Sequence, residues 1–362
     1  MTAIGNGRAA LPPSMPALKK LEAGPGLQLV DAVEVPSPGP GEVLIRVTHA
    51  GICGTDRHIY EWDPWSAARV PLGITIGHEF VGRVVEAVAP ASRTLIGERV
   101  SAEGHISCGA CHACRTGNAH ICERVLILGV DRDGCFSPYV VVPHGNVWKI
   151  GDEIPDHVAA IFDPLGNAMH TVMSAGVSGR AVLVTGSGII GLMAVAIARA
   201  QGARTIVATD PDVRRRTLAM ELGADAALDA TDPDWVERAR EIAGGHGPEA
   251  LLEMSGHGVA VRQGLRALAN GGTAALLGIP GRAIELDLAS EVIFKGVTIH
   301  GVNGRRMFET WYQVEEFART HVPEIERIVT HRLPFARFEE GIRAMQTGEA
   351  VKVVLELEGA LA

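Results

Sequence analysis

The feature that most narrows the possible folds is a glycine triplet, Gly186-Ser-Gly188-Ile-Ile-Gly191. It stands directly after the apolar run Ala181-Val-Leu-Val-Thr185 and before an apolar, alanine-rich stretch at 192–201. A wholly apolar run of this length suits a parallel strand covered on both faces, and the stretch after the glycines has a helical composition. The rhythm then repeats, with strands expected at 205–209, 250–254, 273–277 and 297–300, and helices at 213–222, 259–269 and 308–320. Alternation of this kind specifies βαβ units and an α/β, doubly wound parallel sheet. In that setting Gly186 permits the tight turn, Gly188 lets a pyrophosphate approach the backbone, and Gly191 lets helix and strand pack closely. Asp210 ends the next strand, about 20 residues on, where a carboxylate binds ribose hydroxyls. A carboxylate there repels a 2′-phosphate, so NAD is favoured over NADP. The Arg214-Arg215-Arg216 run cuts against that preference. Its simpler reading is a solvated helix face, with Arg215 lying over the adenosine. The competing reading of the glycines is a structural turn in some other doubly wound protein.

At 362 residues the chain exceeds what one core serves, so two domains are expected. Between 26 and about 149, short β-type runs at 43–47, 80–88 and 139–142 are broken by Gly and Pro, the pattern of a small barrel or sandwich. The segment 332–357 reads as helix then strand and is expected to return to that first domain. The expected division is 1–164 with 303–362 for one domain, and 165–302 for the dinucleotide-binding domain. A net charge of −9 disfavours nucleic acid as a partner, and 4% aromatics argues against a base-stacking platform. Every apolar stretch is broken well before membrane-spanning length. Residues 1–17 lack the apolar run of a secretory signal and read as a ragged leader with no core to join. A cytoplasmic protein is expected.

Four of the six cysteines fall in Cys108-x2-Cys111-x2-Cys114-x7-Cys122. Four thiolates saturate a tetrahedral Zn²⁺ and leave no position for substrate, which describes a structural site. An iron–sulfur cluster and a disulfide pair are the rivals. A second set is dispersed: Cys53 in Cys53-Gly-Thr55-Asp56, His78-Glu79, and Asp163 in Phe162-Asp163-Pro164. Cys, His and carboxylate from separate segments can hold Zn²⁺ while leaving one position for a water or an alcohol oxygen. Taken singly, Cys53 is more often a buried thiol and His78 a satisfied core histidine. Cys135 has no partner at metal spacing.

Together these residues resemble the zinc-containing medium-chain dehydrogenases, and among them the bacterial L-threonine 3-dehydrogenases. The likeness is carried by Cys53-Gly-Thr-Asp-Arg-His-Ile-Tyr-Glu-Trp-Asp-Pro-Trp65, Phe162-Asp-Pro-Leu-Gly-Asn-Ala168, Leu252-Glu-Met-Ser-Gly256 and Gly304-Arg-Arg-Met-Phe-Glu-Thr-Trp-Tyr312. It runs from about Val43 to the C-terminal strand. It implies a GroES-like β-barrel catalytic domain and a Rossmann domain, catalytic and structural Zn²⁺, NAD, a small hydroxyl substrate and a homotetramer. Matched by position, Cys53, His78 and Glu79 correspond to catalytic-zinc ligands, and Cys108, Cys111, Cys114 and Cys122 to the structural site. Thr55 and His58 correspond to a proton relay, assisted by the Asp163 carboxylate beside the metal. Ile190, Asp210, Arg215, Leu277, Gly278, Ile279, Gly301 and Val302 correspond to coenzyme contacts. Departures are Ile189 where the family often has Pro, Glu86 and Val88 in place of glycines, and Arg306 where an acidic residue is expected.

The reaction implied is oxidation of L-threonine to 2-amino-3-oxobutanoate. The metal polarises the hydroxyl, its proton leaves through Thr55 and His58, and hydride passes to the nicotinamide. A polyol or 2,3-butanediol dehydrogenase, or a dehydrogenase of another β-hydroxy amino acid, would share all these residues. A non-catalytic relative is the reading from a different class, and the intact Cys53/His78/Glu79 set speaks against it. Simpler roles compete at single positions. Thr55 can cap a helix beginning near Asp56, His58 can be a surface histidine, His105 a loop residue, and Trp62 and Trp65 packing groups.

Overall fold

The computed structural model describes residues 11–360. Six parallel strands form one sheet in the spatial order Ala226–Asp229, Thr205–Asp210, Ala181–Thr185, Ala250–Glu253, Thr273–Leu276 and Thr298–Gly301. The order reverses between Ala181–Thr185 and Ala250–Glu253, which opens a crevice at the carboxyl ends of the strands. The apolar run at 181–185 is explained by its two faces. Val182 and Val184 join a core with Leu165, Val172, Leu192 and Val195, whereas Leu183 joins another with Trp235, Leu251 and Leu265. Full burial of each such side chain contributes about 1.5–3 kcal/mol.

The first sheet carries, in order, Val147–Lys149, Arg99–Ala102, Glu79–Ala87, Glu42–Ile52, Lys352–Glu356 and Val329–Pro334, with Tyr139–Pro143 also paired to Glu42–Ile52. The C-terminal strand therefore lies inside this sheet, antiparallel to Glu42–Ile52, with Val353 opposite Ile52. The segment read as helix then strand is a strand, a helix at Phe338–Gln346 and a strand. The alternation in Val329–Pro334 leaves half of its positions exposed, so its apolar signal is weak.

Two further differences have physical causes. Residues 14–17 are not a leader: Ser14–Lys20 is a strand paired with Gln28–Glu34, and Met15 and Ala17 are buried. The three prolines at 12, 13 and 16 mask that signal, since proline reads as non-strand. The part of the expectation covering residues 1–10 lies outside the described residues. The helix Phe162–Ala175 gives no clear helical signal in the sequence, because it contains Pro164 and Gly166. Pro164 falls in the first turn, where an N–H has no helical partner to lose. Gly176 ends the helix in a left-handed conformation.

That helix packs on the strands Ala250–Glu253 and Thr273–Leu276 of the parallel sheet. Phe162, at its start, packs on Trp311 of the helix Glu309–Thr320 with ring centroids 6.0 Å apart. Among the described residues no helix is long and apolar enough to cross a membrane.

Candidate active site

Strand Glu42–Ile52 ends at the metal-type cluster. Cys53 follows it and caps the helix Gly54–Glu61, whose turn is closed by the Asp56 carboxylate accepting from Cys53 N at 2.8 Å. The helix thus begins two positions earlier than expected, with Cys53 at its cap and the Asp56 carboxylate, not Thr55, closing the first turn. His78 and Glu79 open the neighbouring strand, with Glu79 in register with Gly51. Ligand atoms of Cys53, His78 and Glu79 all lie within 4.8 Å of one another.

Two observations fit this trio to a cation. His78 Nδ1 and Glu79 Oε1 are buried polar atoms with no hydrogen-bond partner, a cost of about 1–3 kcal/mol each unless something else pairs with them. The donor set itself, one thiolate, one imidazole and one carboxylate, is suited to Zn²⁺. Burial by itself would depress the His78 ring, but Cys53 beside it, and then Asp56 and Asp163, outweigh this and lift it to about 10. Glu79 Oε2 meets Lys352 Nζ, a buried lysine that also donates to Ile52 O at 2.7 Å.

Thr55 Oγ1 lies 3.8 Å from Cys53 Sγ. His58, one turn along the same helix, has a side chain 58% exposed and its Nδ1 2.8 Å from Asp63 Oδ2. Because an ionised carboxylate only accepts, Nδ1 carries the proton in that pair and Nε2 remains for exchange. Trp65 sits edge-on to His58 with centroids 6.4 Å apart, and Trp62 packs under the Lys20 ammonium.

Asp163 stands beside the metal-type trio and outside it. A Cβ placed on Gly104 would lie 3.5 Å from His78 Cβ and 3.6 Å from Asp163 Oδ2, so only that glycine separates them. The Asp163 carboxylate is turned to Arg305 Nη1. His105 borders the same group. Burial, and then the Arg305 charge, pull its pKa down to about 4, so it is neutral near pH 7.

The four cysteines of the other cluster also have sulfurs within 4.8 Å of one another. Cys111 Sγ is 3.4 Å from Cys114 Sγ and 3.9 Å from Cys122 Sγ, far beyond the S–S bond of a disulfide, about 2.05 Å. Backbone N–H groups of Ala110 and Cys111, then the Arg124 guanidinium, draw the Cys108 thiol down to about 5, while burial and the neighbouring sulfurs push Cys114 up to about 11.

At the second sheet, Gly186 has φ +88°, and a Cβ on Gly191 would stand 1.9 Å from Gly186 O, so the turn and the close packing both need glycine. A Cβ on Gly188 would meet nothing within 4 Å, which leaves its backbone open to a ligand. Gly188 caps the helix Ile189–Ala200, placing Ile190 in its first turn. Asp210 accepts from Ser187 N and Asp212 N, each at 2.9 Å, and Arg215 Nη1 lies 3.9 Å from it. Arg214 pairs with Asp212 and Arg216 with Asp229. Leu277, Gly278 and Ile279 follow the strand Thr273–Leu276, with Ile279 91% exposed, while Gly301 ends the last strand and Val302 is buried beyond it. Arg306 lies on the surface, paired with Glu309.

Sequence reasoning missed Glu103, Arg305 and Lys352. Each acts through partners far away in the chain, as Glu103 and Arg305 show at 202 positions apart, so no local spacing signals them.

Residues 39–152 match the family model for the alcohol dehydrogenase GroES-like domain, and residues 190–320 that for zinc-binding dehydrogenase. The chain is 46% identical over 343 residues to an L-threonine 3-dehydrogenase of Symbiobacterium thermophilum, covering 94% of this chain and 97% of that protein. It is 45% identical over 323 residues to an L-threonine 3-dehydrogenase of Caldanaerobacter subterraneus, covering 89% and 93%. Among solved structures, an alcohol dehydrogenase from E. coli CFT073 in complex with NADH superposes with a TM-score of 0.87 at 26% identity, covering 95% of this chain and 100% of that one.

Proposed function

The chain belongs to the zinc-binding, GroES-like alcohol dehydrogenases, and on that premise we propose that it oxidises L-threonine at its 3-hydroxyl to 2-amino-3-oxobutanoate. The observation that carries the chemistry is the Cys53–His78–Glu79 trio, with its unsatisfied His78 Nδ1 and Glu79 Oε1 atoms, beside an Asp163 paired with Arg305. The substrate assignment rests on relatives that match 94% and 89% of this chain. When bound, Zn²⁺ supplies the charge that makes the alcohol acidic, and NAD supplies the hydride acceptor.

The protein's own residues do the rest. Cys53, His78 and Glu79 hold the metal. The Thr55 hydroxyl takes the substrate proton and hands it toward His58, whose exposed ring releases it to solvent while Asp63 fixes Nδ1. Asp163 supplies negative charge beside the metal ligands and so assists the relay. Gly186, Gly188 and Gly191 seat the pyrophosphate, Asp210 holds the adenosine ribose with Arg215 above it, and the segments at 277–279 and 301–302 line the nicotinamide side. The Cys108, Cys111, Cys114 and Cys122 thiolates hold a second, structural Zn²⁺.

We further propose a cytoplasmic homotetramer. Supporting the assembly, the edge strand Thr298–Gly301 is exposed along its length, and Leu288, Ile293 and Phe294 close to it in sequence present large apolar side chains, Phe294 at 81% exposure. Native mass spectrometry tests the oligomer. The substrate is tested by NAD reduction with L-threonine beside 2,3-butanediol, sorbitol and other 3-hydroxy amino acids, with zinc measured on the same sample. Faster turnover of a diol than of threonine would overturn the substrate assignment, and no turnover with zinc replete would overturn the enzyme reading.

A further inference from the structure

Arg305 leaves the coenzyme sheet three positions after Val302, and its side chain, 2% exposed, runs into the gap between the two sheets. Its guanidinium faces two carboxylates at once. Nε donates to Glu103 Oε2 at 2.9 Å and Nη2 to Glu103 Oε1, while Nη1 meets Asp163 Oδ2 and lies 3.4 Å from Asn167 Oδ1. Glu103 is anchored in turn by Trp311 Nε1 and His105 N, both at 2.9 Å. The stem of Arg305 crosses the helix Phe162–Ala175 at Gly166, where a Cβ would fall 2.6 Å from Arg305 Cδ and 2.7 Å from its Cγ. His170 of the same helix holds the turn before it through Nδ1 to Gly304 O at 2.9 Å. Asp163, Gly166, Asn167 and His170 are thus four contacts from one helix to one short segment.

An isolated carboxylate beside the Cys53–His78–Glu79 trio would be free to swing away. A forked, always-charged donor holds it from a fixed direction, and lysine cannot reach two carboxylates with this geometry. Resting on the reading of Asp163 given above, we propose that Arg305 is a positioning residue: it fixes the Asp163 carboxylate beside the Cys53–His78–Glu79 trio and ties that placement to the coenzyme-lining segment at Gly301 and Val302. Arg305 reaches the reacting atoms only through Asp163.

The test is a double-mutant cycle on the zinc-loaded enzyme with Arg305→Gln, Asp163→Asn and the double variant, using whichever alcohol the wild type turns over fastest. Expected for Arg305→Gln are a kcat lower by about tenfold or more, KM values within about twofold, and unchanged zinc content. The double variant is expected to be no slower than Asp163→Asn by more than about twofold, because both changes remove the same effect. Gly166→Ala crowds the stem with every charge kept and should lower kcat in the same direction. Multiplying penalties in the double variant, or an unchanged kcat in Arg305→Gln, would overturn the positioning role and leave the dehydrogenase reading standing. A zinc-replete wild type that turns over no alcohol removes both. Should Arg305→Gln fail to fold, the cycle is run with Arg305→Lys, which keeps the charge without the fork, and the same criteria decide.

Discussion

Asp210 is the residue on which coenzyme choice turns, and Asp210→Asn isolates its charge. The carboxylate is 5% exposed and held by the N–H groups of Ser187 and Asp212 at 2.9 Å, so it is fixed at the mouth of the glycine turn. An asparagine keeps one acceptor oxygen and the shape, and loses the charge. A hydrogen bond to a charged group is worth about 1.5–3 kcal/mol and to a neutral one about 0.5–1.5, so NAD binding should weaken by about 1 kcal/mol, or severalfold. For NADP the sign is opposite. A unit charge about 5 Å from the 2′-phosphate at an effective dielectric of about 20 repels it by about 3 kcal/mol, and that repulsion vanishes. Arg215, 3.9 Å from the Asp210 carboxylate, is then released to meet the phosphate. Together the terms approach 4 kcal/mol, a shift of roughly 10³ in the ratio of kcat/KM for NAD over NADP. The assay is steady-state kinetics with each coenzyme at saturating alcohol. A ratio that moves less than about fivefold would mean that the ribose is read elsewhere, and the assignment of Asp210 would fall.

Cys53→Ser should cut kcat by about a thousandfold, the several kcal/mol a catalytic metal contributes, while circular dichroism and half of the zinc persist; global unfolding would contradict its catalytic placement. Cys111→Ser should do the reverse, lowering the thermal midpoint by several degrees while the trio at Cys53 keeps its metal, as read by differential scanning calorimetry with metal analysis. Glu103 is pulled to about 2 by Arg305 against the effect of burial. Its folded pKa is thus depressed, so its contribution is full above the ordinary carboxylate range and is lost as pH falls from about 4.5 toward 2. Urea midpoints at pH 5 and pH 3 should therefore fall more steeply for the wild type than for Glu103→Gln; parallel loss would refute the pairing.

Much of this protein was legible because its main signals are local. Burial of both faces makes Ala181–Thr185 apolar throughout, and the geometry of a phosphate turn demands glycine at 186 and 191, so the strand–turn–helix unit announces itself. The four-cysteine loop, 108–122, is equally short-range. The dispersed trio became readable only through resemblance to a family, since Cys53 and His78 carry no spacing signal between them. Tertiary structure alone brought Lys352 of the last strand against Glu79 and Arg305 against Glu103 and Asp163. It also turned residues 14–20 into a strand, where prolines had hidden the pattern. The physical reason is the same in each case. A backbone conformation is chosen by neighbours a few residues away, whereas the partner of a buried charge is whatever the closed fold sets beside it.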